Sequence, residues 1–306
     1  MKIYINRGAV HGPWGGGAHF INNVLRTVVE STTHELVYAS NHHAPFDVAL
    51  ALGLDADNEG VSLNQLITFK ILMSGPNGGA KIVLRLNEND ARKNTKHLDD
   101  MLVKISGELD GTIFVSDWLK SYYKKLGWKC KKNTVIRNGV DSVFKSPLTK
   151  EASDQIRIVT HHWSDNYYKG FDIYDKLDNF VKEHPEFKFT YIGRERGTFR
   201  NTTIVKPLSG EKLANALGQN DVYISGSRFD PGPNHVIEAI ACGLPTYVHV
   251  EGGGAIEFAG KDHVYSSWDE LEKLLLSKKF KSNKTVNQIT DWSKPMDETM
   301  KFIESL

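Results

Sequence analysis

Asp230 and Glu238 stand eight residues apart in the stretch Arg-Phe-Asp-Pro-Gly-Pro-Asn-His-Val-Ile-Glu-Ala-Ile-Ala-Cys-Gly-Leu-Pro, residues 228–245. A helix start lies between them. Gly232 and Pro233 break the preceding segment, and proline suits the first helical position, where its missing N–H would be unsatisfied anyway. Val236, Ile237, Ile240 and Ala241 supply an apolar face, Gly243 can end the helix in a left-handed cap, and Pro245 stops its return. The amides near Asn234 and His235 then point outward at the positive end of the helix dipole, a place suited to a diphosphate. Carboxylates repel phosphates, so Asp230 and Glu238 are placed to accept hydrogen bonds from hydroxyls on either side of one. A sugar–diphosphate–ribose ligand carries hydroxyls on both sides.

Three further groups could share such a ligand. Lys169 precedes Gly170 and a new amphipathic helix, and an ammonium held there would stabilise charge building on a departing β-phosphate. Asn166 or Arg194 can add a donor. A Lys169→Ala change is therefore expected to lower turnover far more than fold stability. Near the amino end, Gly12-Pro13-Trp14-Gly15-Gly16-Gly17 opens into a helix, so Gly15, Gly16 and Gly17 offer backbone amides to a phosphate or sugar. Arg85 and Asn87 end a strand at residues 81–86. Asn87 can hydrogen-bond a sugar hydroxyl but cannot act as a base, and Glu88 and Asp90 are candidates for acceptor contacts. The neighbouring pairs His42-His43 and His161-His162 would point to opposite strand faces, and no Cys or His stands at metal-ligand spacing, so no metal site is expected.

The segment Glu238-Ala239-Ile240-Ala241-Cys242-Gly243-Leu244-Pro245, with Asp230 ahead of it, resembles the signature of the retaining GT-B glycosyltransferases grouped as family four. That signature is Glu, seven residues, Glu, then Ala-x-Ala-x-Gly-x-Pro. Here Asp230 replaces the first Glu. Asn138-Gly139-Val140-Asp141, Lys169-Gly170 and Gly252-Gly253-Gly254-Ala255-Ile256-Glu257 match further elements in the family's order, across most of residues 135–260.

The resemblance implies an α/β protein of GT-B fold, two Rossmann-like domains facing a deep cleft. It implies retaining transfer of a hexose from GDP-mannose or a UDP-sugar to a hydroxyl of a glycan, glycoprotein or lipid-linked acceptor, without a cofactor or metal. Lys169, Asp230 and Asn87 would serve catalysis. Gly15, Gly16, Gly17, Arg85, Ser164, Asn166, Gly193, Arg194, Val205, Gly232, Asn234, His235 and Glu238 would bind the donor. Ser164 stands where the family has an arginine, and Asn87 where many members have a histidine. These departures leave open a non-catalytic sugar-nucleotide-binding protein. A dehydrogenase using the amino-terminal glycine loop is the other alternative, against which the missing dinucleotide fingerprint stands.

The remaining features frame this site. The 306 residues suffice for two domains, and 38 basic against 37 acidic side chains give a net charge of +1, with no general attraction to nucleic acid or anionic membrane. Lys124, Lys125, Lys129, Lys131 and Lys132, interleaved with Tyr122, Tyr123 and Trp128, read as a solvated helix end, or as a peripheral membrane contact over 124–132. Cys130 and Cys242 fall in different halves, and no structural disulfide is expected. The polar start and the absence of a membrane-length apolar run point to a cytoplasmic protein.

Strands are expected at Ile3–Ile5, 35–39, 81–86, 110–115 and 134–136, with helices near 61–74, 96–106 and 116–126. A polar break at 146–153 containing Pro147 follows. The alternation restarts with strands at 156–159, 187–192, 221–224 and 246–250, and helices near 172–184, 211–218, 234–242 and 268–277. The expected domains are 1–147 on the acceptor side, 148–285 on the donor side, and a helix in 286–306 crossing back to the first.

Overall fold

A computed structural model describes residues 1–12, 15–42, 44–56, 60–72, 79–145, 150–194, 196 and 199–306. Pro13, Trp14, His43 and residues 146–149 of the polar break lie outside the described residues. The chain divides into two compact units, Met1–Asn138 with Trp292–Leu306, and Gly139–Asp291.

The first unit is a parallel six-stranded sheet of β1 (Lys2–Ile5), β2 (Glu35–Val37), β3 (Val48–Leu52), β4 (Lys81–Leu86), β5 (Gly111–Phe114) and β6 (Asn133–Val135), in the order β2-β1-β3-β4-β5-β6. Its helices are α1 (Gly16–Glu30), α2 (Leu63–Leu72), α3 (Asp90–Lys93), α4 (Leu98–Ile105), α5 (Asp117–Lys125) and, from the end of the chain, α11 (Ser293–Glu304). One face packs on Leu63 and Leu66 of α2, Leu102 of α4, and Leu119 and Tyr123 of α5. The other packs on Phe20, Ile21, Val24 and Val28 of α1 and on Met296, Met300 and Ile303 of α11. The i, i+4, i+8 spacing of the α1 residues makes that helix amphipathic, and each large apolar side chain so buried stabilises by roughly 1.5–3 kcal/mol.

The second unit holds a parallel sheet of β7 (Ile156–His162), β8 (Phe187–Gly193), β9 (Thr203–Val205), β10 (Val222–Ser225), β11 (Thr246–His249) and β12 (Val264–Tyr265), in the order β12-β11-β10-β7-β8-β9. Helices α6 (Phe171–Glu183) and α10 (Trp268–Ser277) cover one face. Helices α7 (Gly210–Gly218), α8 (Asn234–Ala241) and α9 (Ala255–Ala259) cover the other. Chain order runs outward from β7 to β8 and β9, then restarts on the opposite side with β10. The reversal therefore falls between β7 and β10, the position at which open parallel sheets of this order take ligands beyond their carboxyl ends.

Most expected elements appear within a few residues, the ordinary uncertainty at element ends. Three strands were not expected. Val48–Leu52 is buried along its whole length, so it lacks the polar alternation that betrays a half-exposed strand; β9 and β12 are only three and two residues long. The second unit also begins before the polar break. Val140 and Phe144 lie in its core, and the Val140 N–H donates to the Thr290 carbonyl at 3.0 Å. Among the described residues no helix is long and apolar enough to cross a membrane.

Candidate functional site

Lys169 and Asp230 meet where the strand order of the second sheet reverses. Lys169 Nζ lies 2.7 Å from Asp230 Oδ2, and the residues are 5% and 3% exposed. Past β7, Ser164 Oγ accepts the Asn166 N–H (3.3 Å) and Asn166 Oδ1 accepts the Tyr168 N–H (2.9 Å), capping a short 3-10 turn at Tyr167–Lys169. Gly170 then takes φ +100°, with its Cα so close to Gly226 that an added Cβ would lie 2.4 Å from the Gly226 Cα.

The Asp230 side of the pair is set by backbone. The Arg228 N–H donates to the Tyr168 carbonyl (2.9 Å), the Phe229 N–H to the Glu251 carbonyl (2.8 Å), and the Gly254 N–H to the Asp230 carbonyl (2.8 Å). Phe229 sits at φ +53°, a costly conformation for an aromatic residue that persists only where its surroundings hold it. Gly253, at φ +67°, presses on the same turn, and a Cβ there would stand 2.7 Å from the Asp230 carbonyl oxygen. Arg228 anchors the segment through two bonds to Asp172, at 2.7 and 2.6 Å. Burial by itself would raise the Asp172 carboxyl; the hydrogen bond and charge of Arg228 carry it below its ordinary value.

Helix α8 begins at Asn234, with Pro233 as its cap residue instead of its first helical residue. It ends in a Schellman motif: Leu244 N–H donates to Ala239 and Gly243 N–H to Ile240, with Gly243 at φ +79°. One turn in, Glu238 Oε2 lies 2.8 Å from His161 Nε2. The two strand histidines point to opposite faces, as alternation requires. His161 faces Glu238 of α8, whereas His162 Nε2 meets the Tyr174 hydroxyl of α6 at 2.6 Å. That hydroxyl accepts the Gly226 N–H (3.1 Å), so it can give its proton to His162 Nε2 and place the imidazole proton on Nδ1. His235, at the start of α8, stands 3.0 Å from Ser225 Oγ, with its ring 4.6 Å from that of His162. Among the described residues no group of three His, Cys, Asp or Glu side chains is arranged to hold a metal ion.

His162 gives a pH-dependent stability. Burial, then the nearby positive groups, holds its pKa well below the ordinary 6.5. Its unfolded form therefore takes up a proton that the folded form refuses, and stability present above pH 6.5 is lost as the pH falls below it. Between pH 7.5 and 5.5 this group should remove about 1.4 kcal/mol. Urea unfolding of the wild type and His162→Gln at both pH values checks this: the wild type should lose that much more than the variant, and equal losses would remove His162 as the cause.

In the first unit, Gly15 caps α1, while Gly16 and Gly17 form its first turn. A Cβ on Gly17 would lie 3.2 Å from Asn87 Nδ2, so the glycine turn and Asn87 adjoin. Arg85, at the end of β4, is enclosed. It is 1% exposed, its guanidinium lies 3.8 Å from the Phe20 ring centroid, and it donates to Asn138 Oδ1. Burial lowers its pKa to about 9. Its Nε and Nη1 are buried with no hydrogen-bond partner among the described residues.

Solved structures share this architecture. HepE from Anabaena, crystallised with UDP and glucose, matches at a TM-score of 0.72 and 14% identity, with 100% of each chain covered. Sucrose-phosphate synthase from Thermosynechococcus elongatus matches at 0.72 and 11% identity, over 99% of this chain and 98% of that one. A trehalose-6-phosphate protein from E. coli bound with UDP-2-fluoro glucose matches at 0.70 and 10% identity, over 100% and 99%. The chain has the GT-B fold. No protein-family model and no curated protein matches the sequence.

Within the carboxyl-terminal unit of this GT-B protein, Lys169, Asp230, Asn234, His235 and Glu238 gather around the β7 and β10 ends. Gly232 belongs to the turn between Asp230 and α8. Gly193 ends β8 beside His162, whose carbonyl accepts the Arg194 N–H at 3.2 Å. Val205 ends β9 and packs, partly buried, against the apolar core. Ser164 and Asn166 spend hydrogen bonds on their own turn. Arg228, Phe229 and Gly226 were missed, and His161 was weighed only as a chelate with His162; strand alternation puts the two histidines on opposite faces, but nothing local in the sequence sets Glu238 of α8 against His161. The basic 124–132 region keeps its lysines exposed, but Tyr123 is fully buried and donates to Asp99 (2.7 Å), with Trp128 packed on its ring. Those two aromatics face the core.

Proposed function

We propose that this protein is a glycosyltransferase that moves a hexose from a nucleoside diphosphate sugar to a hydroxyl of a glycan, glycoprotein or lipid-linked acceptor, with retention at the anomeric carbon and without a bound metal ion. The observation that carries the reading is the buried Lys169–Asp230 pair at the strand-order reversal, adjoining the start of α8. An ammonium has three donors, so Lys169 can hold Asp230 and a β-phosphate together. In the reaction the acceptor oxygen bonds to the anomeric carbon on the face from which the diphosphate leaves. The diphosphate departs with the bonding electrons and takes the acceptor proton. Lys169 and the α8 dipole oppose the charge developing on it, Asp230 orients the transferred sugar, and Glu238 accepts from the ribose.

UDP or a UDP-sugar accompanies two of the similar structures, which favours a uridine donor over GDP-mannose. Cys130 and Cys242 are both free, which suits a reducing compartment such as the cytoplasm.

Calorimetric titration in EDTA with UDP-glucose, UDP-N-acetylglucosamine, GDP-mannose and NADH tests the reading. One sugar nucleotide should bind saturably, and Glu238→Ala should weaken it by about thirtyfold, the worth of a charged hydrogen bond. Binding of NADH alone would instead support the dehydrogenase. A second reading, binding without transfer, draws on Ser164, whose hydroxyl serves its own turn; donor that binds but is neither transferred nor hydrolysed would favour it.

A further inference from the structure

A carboxylate buried one turn inside a helix needs a hydrogen-bond partner, which also holds it in one rotamer. Among the described residues, the side chain of Glu238 has one, His161 Nε2 at 2.8 Å, and both residues are 7% exposed. Glu238 Oε2 takes that bond, leaving Oε1 for a ligand. His161 is itself fixed from both ends. Its backbone N–H donates to the Tyr223 hydroxyl (3.1 Å), which in turn donates to the His161 carbonyl (3.3 Å). Its ring stands edge-on to the Tyr223 ring at 5.5 Å. Nδ1 is buried with no hydrogen-bond partner among the described residues, so the proton belongs on Nε2, where the carboxylate accepts it.

We infer that His161 is the positioning residue for Glu238 and, through it, sets the affinity of the site for the nucleoside end of the donor. The inference rests on the reading of Glu238 as the acceptor for ribose hydroxyls. His161 touches no reacting atom, so its loss should raise the donor KM and leave kcat near the wild-type value.

A double-mutant cycle read by calorimetry, with UDP and GDP as probes, tests this. His161→Ala should weaken the nucleotide that binds by about tenfold, whereas His161→Gln, which keeps an N–H donor, should stay within about threefold. In a Glu238→Ala background, His161→Ala should cost nothing further. A full additional tenfold loss there, or wild-type affinity in a folded His161→Ala, would overturn the inference while the transferase reading stood. Failure of the wild type to bind either nucleotide would remove both. Should His161→Ala not fold, His161→Met compared with His161→Gln reads the same difference, and equal affinities for those two would also overturn it.

Discussion

Lys169→Ala is expected to lower turnover by about a hundred- to a thousandfold, the usual cost of losing one preorganised group at developing charge. It is also expected to reduce stability by about 3 kcal/mol, because it strands a buried carboxylate. The sequence alone led to the expectation that turnover would fall far more than fold stability. The 5% and 3% exposures of Lys169 and Asp230 and their 2.7 Å separation put a substantial stability loss beside the loss of turnover. The two effects can be separated. Replacing both partners, in Lys169→Met with Asp230→Leu, leaves no unpaired charge and should regain most of the lost stability while restoring no turnover. Urea unfolding and a product assay on the three proteins suffice: near-normal turnover in Lys169→Ala would take the lysine out of the reaction, and unchanged stability would mean that water or another group solvates Asp230.

Gly170→Ala should be still more damaging to the fold, by about 3–5 kcal/mol, combining an unfavourable backbone region with overpacking. Gly170 sits at φ +100°, and its Cβ would lie 2.4 Å from backbone atoms of Gly226, which cannot yield as a flexible side chain would. Gly226 is fixed in turn by its N–H donating to Tyr174. The strain would spread to Lys169 on one side and Asp230 on the other, so activity should fall with stability. A Gly170→Ala protein that unfolds at the wild-type urea midpoint would show that this close approach is not needed.

The local chemistry of α8 was legible in the sequence because its causes are local. Gly232 and Pro233 break the chain, the apolar spacing from Val236 to Ala241 makes one face, and Gly243 closes the helix through a motif spanning only Ala239 to Leu244. The Lys-Gly pair and the glycine turn before α1 were legible for the same reason. The setting of Arg85 was not: nothing in its neighbours announces that it lies enclosed over Phe20 and bound to Asn138, residues far from it in sequence. Val48–Leu52 escaped because a strand buried on both faces has no alternation to read.

The sequence by itself determined the residue types at the site, the helix that carries three of them and the alternation of strands and helices that makes parallel sheets. Tertiary structure alone decided who meets whom. Lys169 and Asp230 are 61 residues apart, and His161 and Glu238 are 77 apart; each pair exists because β10 lies beside β7 and not beyond β9. That strand order follows from how whole faces bury one another, and no short stretch of sequence encodes it.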